Sequence, residues 1–212
     1  MEEKFEVVAL LTTINREFKR VSMHGVREEL IEMQADSIGL PLVKMYVSEA
    51  TNEEYETVFE KTLQPYILKG ITTLIYGDIF LEDLRIYREQ LMTKIGMKAE
   101  FPLWKKETAF IAQKFISLGF KTITCCVSDE YLTENDAGVD FNSEFIRTLP
   151  EGVDVCGENG EFHTFCYDGP IFRKAIKFKL EKKVYKPLQL KLEETEKSRI
   201  KGFWFCELKP EL

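Results

Sequence analysis

The chain has 212 residues, 44% of them hydrophobic and 31% charged, with a formal net charge of −7. That length fits one large domain or a domain with a small appendage, and the composition is that of a globular chain, not a disordered one. The negative balance argues against bulk attraction to phosphate backbones. No apolar run reaches the ~20 residues of a membrane helix, and the acidic start Met1-Glu2-Glu3-Lys4 is no signal peptide.

In chain order, Phe5 to Thr12 is an apolar, β-branched run of strand length. Val26 to Ile38 repeats apolar residues at helical spacing and meets a stop at Gly39. Leu40 to Val47 reads as a second strand. Thr51 and Asn52, followed by Glu54, open a helix that runs to Lys69 and stops at Gly70. Ile71 to Tyr76 is a third strand, ending at Gly77-Asp78. Helices are predicted over Leu81 to Ile95 and Glu107 to Leu118, with a short extended piece between them, and Phe120 to Val127 is a fourth strand. Continuous apolar strands between amphipathic helices predict an α/β fold, a parallel sheet with helices on both faces. From Ser128 to Asp154 the pattern weakens, with one short helix near Phe141 to Leu149. Phe162 to Tyr167, Ala175 to Tyr185 and Ile200 to Leu208 then read as strands, and Lys186 to Ser198 as a polar connection. We therefore expect an α/β domain over residues 1–140 and a smaller β-containing lobe over 141–212.

Ligands of parallel sheets bind beyond the carboxyl ends of the strands. That rule selects Thr12 to Arg20, Gly77 to Arg88 and the stretch after Val127. Asp78 lies where the third strand ends. Glu82, Arg85 and Glu89 share a helix face, so Arg85 could grip a phosphate or carboxylate or pair within its own helix. The densest polar segment is Cys156-Gly157-Glu158-Asn159-Gly160-Glu161-Phe162-His163-Thr164-Phe165. Its carboxylates, amide and hydroxyl suit a cation, an amine or a polar substrate, and its glycines suit a sharp turn. Five cysteines, two of them adjacent and none in C-x-x-C spacing, argue against a disulfide framework and against zinc. No Walker A, G-x-G-x-x-G or G-x-S-x-G pattern occurs.

Several separated motifs agree: Leu10-Leu11-Thr12-Thr13-Ile14-Asn15, Ser22-Met23-His24-Gly25, Gly77-Asp78-Ile79 with Asp83-x-Arg85, Pro102-Leu103-Trp104, and Cys156 to Glu161 followed by Thr164, Asp168, Pro170 and Phe172. Their order and spacing resemble the diphthine–ammonia ligase family, the N-type ATP pyrophosphatases with an adenine nucleotide alpha-hydrolase-like fold. The resemblance covers most of residues 5–172. It implies that ATP, with magnesium, activates a carboxylate as an acyl-adenylate and releases pyrophosphate, after which ammonia displaces AMP to give an amide. The implied acceptor is a modified histidine of an elongation factor, and the implied location is the cytoplasm.

By this resemblance, Asp78, Arg85, Glu158 and Glu161 are the expected catalytic residues. Thr12, Thr13, Asn15, Met23, His24 and Gly77 are expected to hold the adenine nucleotide. Gly157, Asn159, Gly160 and Thr164 are expected on the acceptor or ammonia side, and no tightly bound metal is expected. Enzymes of this family begin with a strand, an S-G-G-x-D-S loop and a helix, and that loop's amides cradle pyrophosphate. No such loop occurs here, and about 25–30 residues, a strand–loop–helix unit, are expected to be missing. A truncated gene and a non-catalytic nucleotide- or partner-binding paralogue are both compatible with that, as is a homo-oligomer covering the exposed sheet.

Overall fold

The computed structural model describes residues 5–48, 52–187 and 202–211. Strand β1 is Leu10–Asn15, and it is followed by a two-residue strand β2, Arg20–Val21. Helix α1 (Glu28–Ile38), strand β3 (Leu42–Val47), helix α2 (Asn52–Ile67), strand β4 (Thr73–Ile75), helix α3 (Glu82–Lys94) and strand β5 (Lys98–Glu100) come next. Helix α4 (Thr108–Ser117) leads into β6 (Lys121–Ser128), a short helix α5 (Ser143–Thr148), and strands β7 (Phe162–Asp168), β8 (Phe178–Pro187) and β9 (Gly202–Pro210). The Thr51 cap, residues 200 and 201 of the last predicted strand, and the predicted polar connection beyond Pro187 lie outside the described residues.

The predicted order of helices and strands holds, but the pairing differs in two ways. Parallel pairing occurs in two pieces, β1 with β3 and β4 with β5. The apolar run at Phe120 to Val127 does not join either. As β6 it sits inside an antiparallel sheet of order β7-β6-β9-β8. Its burial explains the misreading: Thr122 through Ser128 are all buried, so the run has the continuous apolar look of a parallel-sheet strand while sitting in an antiparallel one. The first strand also begins later than its apolar run, because only residues from Leu10 onward meet β3.

The facing edges of the two parallel pieces are open except at the carboxyl end of β1, where β2 pairs antiparallel with Ile14 and Asn15. The Leu10 N–H donates to the Pro41 carbonyl and the Arg16 N–H to the Val47 carbonyl. Parallel ladders use alternate residues, so Ala9 and Leu11 turn their amides and carbonyls to the opposite edge. There Ser22 N–H, just past β2, donates to the Thr13 carbonyl. On the other piece, Lys98 N–H to the Thr72 carbonyl and Tyr76 N–H to the Glu100 carbonyl leave Thr73 and Ile75 facing outward. Both open edges line one cavity of about 650 Å³.

Two cores hold these layers. Met45, Val47, Phe59, Leu63, Leu91 and Met92 pack α2 and α3 on the parallel strands. Cys125, Cys126, Phe145, Phe162, Phe165 and Leu208 fill the antiparallel sheet. Helix α1 belongs to the second core through Leu30, which is fully buried. Arg20 and Arg27 at the approach to α1 reach Glu207 of β9 at 2.6 and 3.3 Å. These pairs tie the β2-β1-β3 region to the antiparallel sheet.

Candidate active site

The segment 154–161 folds as a polar loop around one buried carboxylate. Glu161 is 1% exposed. Its Oε1 accepts from Asp154 N–H and from Asn159 Nδ2, each at 2.9 Å, and its Oε2 accepts from Asn159 N–H at 3.0 Å. Asp154 Oδ1 accepts in turn from the amides of Cys156 and Glu158 at 2.9 and 3.2 Å. Gly157 has φ +69, and a Cβ there would sit 2.6 Å from the Phe162 carbonyl oxygen, so both the turn and the close approach require glycine. Gly160 has φ +85 in open space.

This loop is joined to the end of β4 by Glu158. Its Oε1 accepts from Ile79 N–H at 2.6 Å and weakly from Phe80 N–H at 3.4 Å, while Oε2 accepts from none of the described residues. Burial pushes the Glu158 carboxyl up from its ordinary value. The two amides pull it down by less, and the nearby charges of Asp78 and Asp154 push the same way as burial. The Ile79 carbonyl also accepts from Lys105 N–H at 2.7 Å, which draws in the Pro102-Leu103-Trp104 segment. Arg85 lies with its guanidinium carbon 4.6 Å from the Trp104 ring centre and 5.1 Å from that of Phe101, and its Nε is 2.8 Å from Glu89 Oε1. Three motifs far apart in sequence thus converge on the Gly77–Phe80 turn.

Asp78 is buried beside Arg88, whose Nε lies 3.0 Å from Asp78 Oδ2. Cys156 donates to the Thr108 carbonyl at 3.4 Å, and burial pushes its thiol up to about 12, which disfavours the thiolate. Thr164 lies farther along β7, in register with Thr124 of β6, and is not part of the loop's hydrogen-bond net.

The residues expected to hold a nucleotide are spread over two cavities. Thr13 lines the 650 Å³ cavity between β1 and β4. Asn15 and Met23 line a separate cavity of about 360 Å³, with Phe18, Lys186, Phe203 and Phe205. Lys186 Nζ stands 5.4 and 5.2 Å from the Phe18 and Phe205 ring centres. The Asn15 side chain accepts from the amides of Glu17 and Phe18 and shapes its own turn. Thr12 pairs in register with Lys44 and lines neither cavity. The rings of His24 and His163 lie 4.6 Å apart and tilted by 34°; both residues are half-buried, and that burial lowers both, His163 to about 4.

Sequence reasoning missed Asp154, Tyr76, Tyr55 and Arg88. Asp154 carried a signal, an Asx residue two before the first amide it caps. Arg88 looked like one more charge on a polar helix. Among the described residues no three His, Cys, Asp or Glu side chains converge as metal ligands, and no helix is long and apolar enough to cross a membrane.

The sequence matches the Diphthamide synthase N-terminal domain over residues 1–99 and the Diphthamide synthase C-terminal domain over residues 107–199. Among curated proteins it is similar to diphthine–ammonia ligase of Danio rerio, 24% identical over 170 residues, covering 71% of this chain and 66% of that one. The human diphthine–ammonia ligase is 22% identical, with 71% and 62% covered. That of Schizosaccharomyces pombe is 24% identical, with 72% and 28% covered. The chain therefore spans less than two thirds of the length of these relatives. Both domains of one family matching in order, through nearly the whole sequence, show that the chain belongs to the diphthamide synthase (diphthine–ammonia ligase) family.

Proposed function

We propose that the protein is an ATP-dependent amide ligase on an adenine nucleotide alpha-hydrolase-like fold, acting in the cytoplasm. The observation that carries this is the Glu158 bridge. It brings the polar loop 154–161 onto the turn that ends β4, the strand end where parallel sheets bind ligands. In this reading an acceptor carboxylate attacks the α-phosphorus of ATP and pyrophosphate leaves. Ammonia then adds to the carbonyl of the acyl-adenylate, loses a proton and expels AMP.

Each residue acts by position. Arg85, placed between Trp104 and Phe101, offers its charge to the carboxylate or phosphate. Glu158 keeps Oε2 for ammonium and takes the proton that makes the amine nucleophilic, a role its raised carboxyl suits. We assign Glu161 to the support of the loop, because its oxygens accept three bonds from within it. Gly157, Asn159 and Gly160 shape the acceptor side. The aromatic cavity beside Met23 and Lys186 suits a base. No step is assigned to magnesium, since no ligand cluster forms among the described residues. The acceptor, by family, is a modified histidine of an elongation factor.

The test is Glu158→Gln. The variant is expected to keep carboxylate-dependent exchange of labelled pyrophosphate into ATP and to lose amide formation by roughly 10²–10³-fold, as for removal of a positioned base. Unchanged amide formation would remove Glu158 from the chemistry. A second reading, a non-catalytic partner-binding paralogue, is favoured by the open edges of β1 and β4, which can accept a strand of another chain. A stable monomer in sedimentation that binds nucleotide counts against it.

A further inference from the structure

We propose that Arg88, with Tyr76 and Tyr55, forms a phosphate-accepting subsite at the carboxyl ends of β1 and β4, separate from the Glu158 loop. The three side chains form the wall shared by the 650 Å³ cavity and an adjoining one of about 240 Å³. Among the described residues Arg88 is the only Lys or Arg lining either cavity. It projects from α3 with its guanidinium carbon 4.4 Å from the centre of the Tyr76 ring.

Its hydrogen bonding is incomplete in a way that points to a ligand. Asp78 Oδ2 is 3.0 Å from Arg88 Nε, close enough to fix the guanidinium as an ion pair. The alignment is nevertheless not that of a hydrogen bond, and both atoms are buried without a hydrogen-bond partner. The terminal nitrogens of Arg88 make no well-aligned hydrogen bond to the described residues, although the guanidinium lies within reach of the Tyr76 hydroxyl. The Tyr76 hydroxyl is likewise buried without a partner, on a residue only 9% exposed. Burial pushes that hydroxyl up, so it stays protonated and can donate. Buried donors left without acceptors are rare in folded proteins and call for water or a ligand. Convergent donors around a planar guanidinium suit an anion with several acceptor oxygens, which a phosphate has. Asp78 supplies no competing fork, because it meets only the Nε side.

The identity of the anion rests on the nucleotide reading above: the subsite would hold the polyphosphate of ATP or the pyrophosphate it releases. Two probes separate the two ideas. Inorganic pyrophosphate tests the subsite and adenosine tests the base pocket, both by calorimetry on the full chain. Pyrophosphate is expected to bind, and Arg88→Gln is expected to weaken it about ten- to a hundred-fold, as for a lost charge-assisted bond. Arg88→Lys should fall between. Tyr76→Phe should weaken pyrophosphate a few-fold while leaving the melting temperature equal or higher, since it deletes an unsatisfied buried hydroxyl. A merely structural Arg88 would lower melting temperature in both Arg88 variants and leave pyrophosphate affinity alone in whichever stays folded. That result, or failure of the wild type to bind pyrophosphate, overturns the subsite. Pyrophosphate binding without adenosine binding would sustain the subsite and remove the nucleotide reading. Adenosine binding without pyrophosphate would do the reverse.

Discussion

Glu158 and Glu161 are three residues apart and do different work because of what their oxygens meet. Glu158 points out of its loop to the Ile79 amide, whereas Glu161 points in and is fully enclosed. Replacing Glu161 by Gln puts an amide NH₂ against donors that now face an oxygen. The expected cost is about 2–4 kcal/mol of stability, read as a lower denaturation midpoint. A change under about 0.5 kcal/mol would mean the loop does not depend on it. The two histidines give a second test. Burial lowers the folded value for His163 to about 4, from an ordinary 6.5. A lowered histidine favours folding above its unfolded value and withdraws that support as pH falls toward the folded one. Thermal stability should therefore fall between about pH 6.5 and pH 4, and His163→Phe should flatten that limb relative to wild type. Parallel profiles for the two proteins would contradict the assignment.

At the scale of elements, the unusual feature is a parallel sheet in two pieces. Leu11 and Thr73 turn their amides to the gap, while Thr12 turns its amide toward a partner strand. Hydrogen exchange should show Leu11 and Thr73 about ten-fold or more faster than Thr12, since open amides exchange without unfolding. Equal protection would mean that another segment or chain covers the edge. The helices were legible in the sequence because apolar spacing and glycine stops are local signals: α1 ends at Ile38, where Gly39 N–H closes on the Ala35 carbonyl. The sheet to which β6 belongs was not legible. A strand buried on both faces looks the same whichever neighbours it has, and pairing with β7 and β9 is decided by residues 35 or more positions away. The polar loop stood out in the sequence from its composition. Its attachment to Ile79 did not, since that bond is made by a backbone amide, which every residue has. Arg88 escaped because its meaning comes from Tyr76 and from a cavity, not from its own helix.

For the whole molecule, the two cores place a polar loop and a strand-end turn against each other. Glu158 joins them directly through the Ile79 amide, while Arg20 and Arg27 tie the β1–β3 region to β9 through Glu207. The account's central claim is that this junction serves a nucleotide. Calorimetric titration of the full chain with ATP tests that most directly. Saturable binding at one site per chain, weakened by Arg88→Gln, is the predicted result. No heat of binding from a folded chain, at ATP concentrations up to the millimolar range typical of weak ligands, would contradict it.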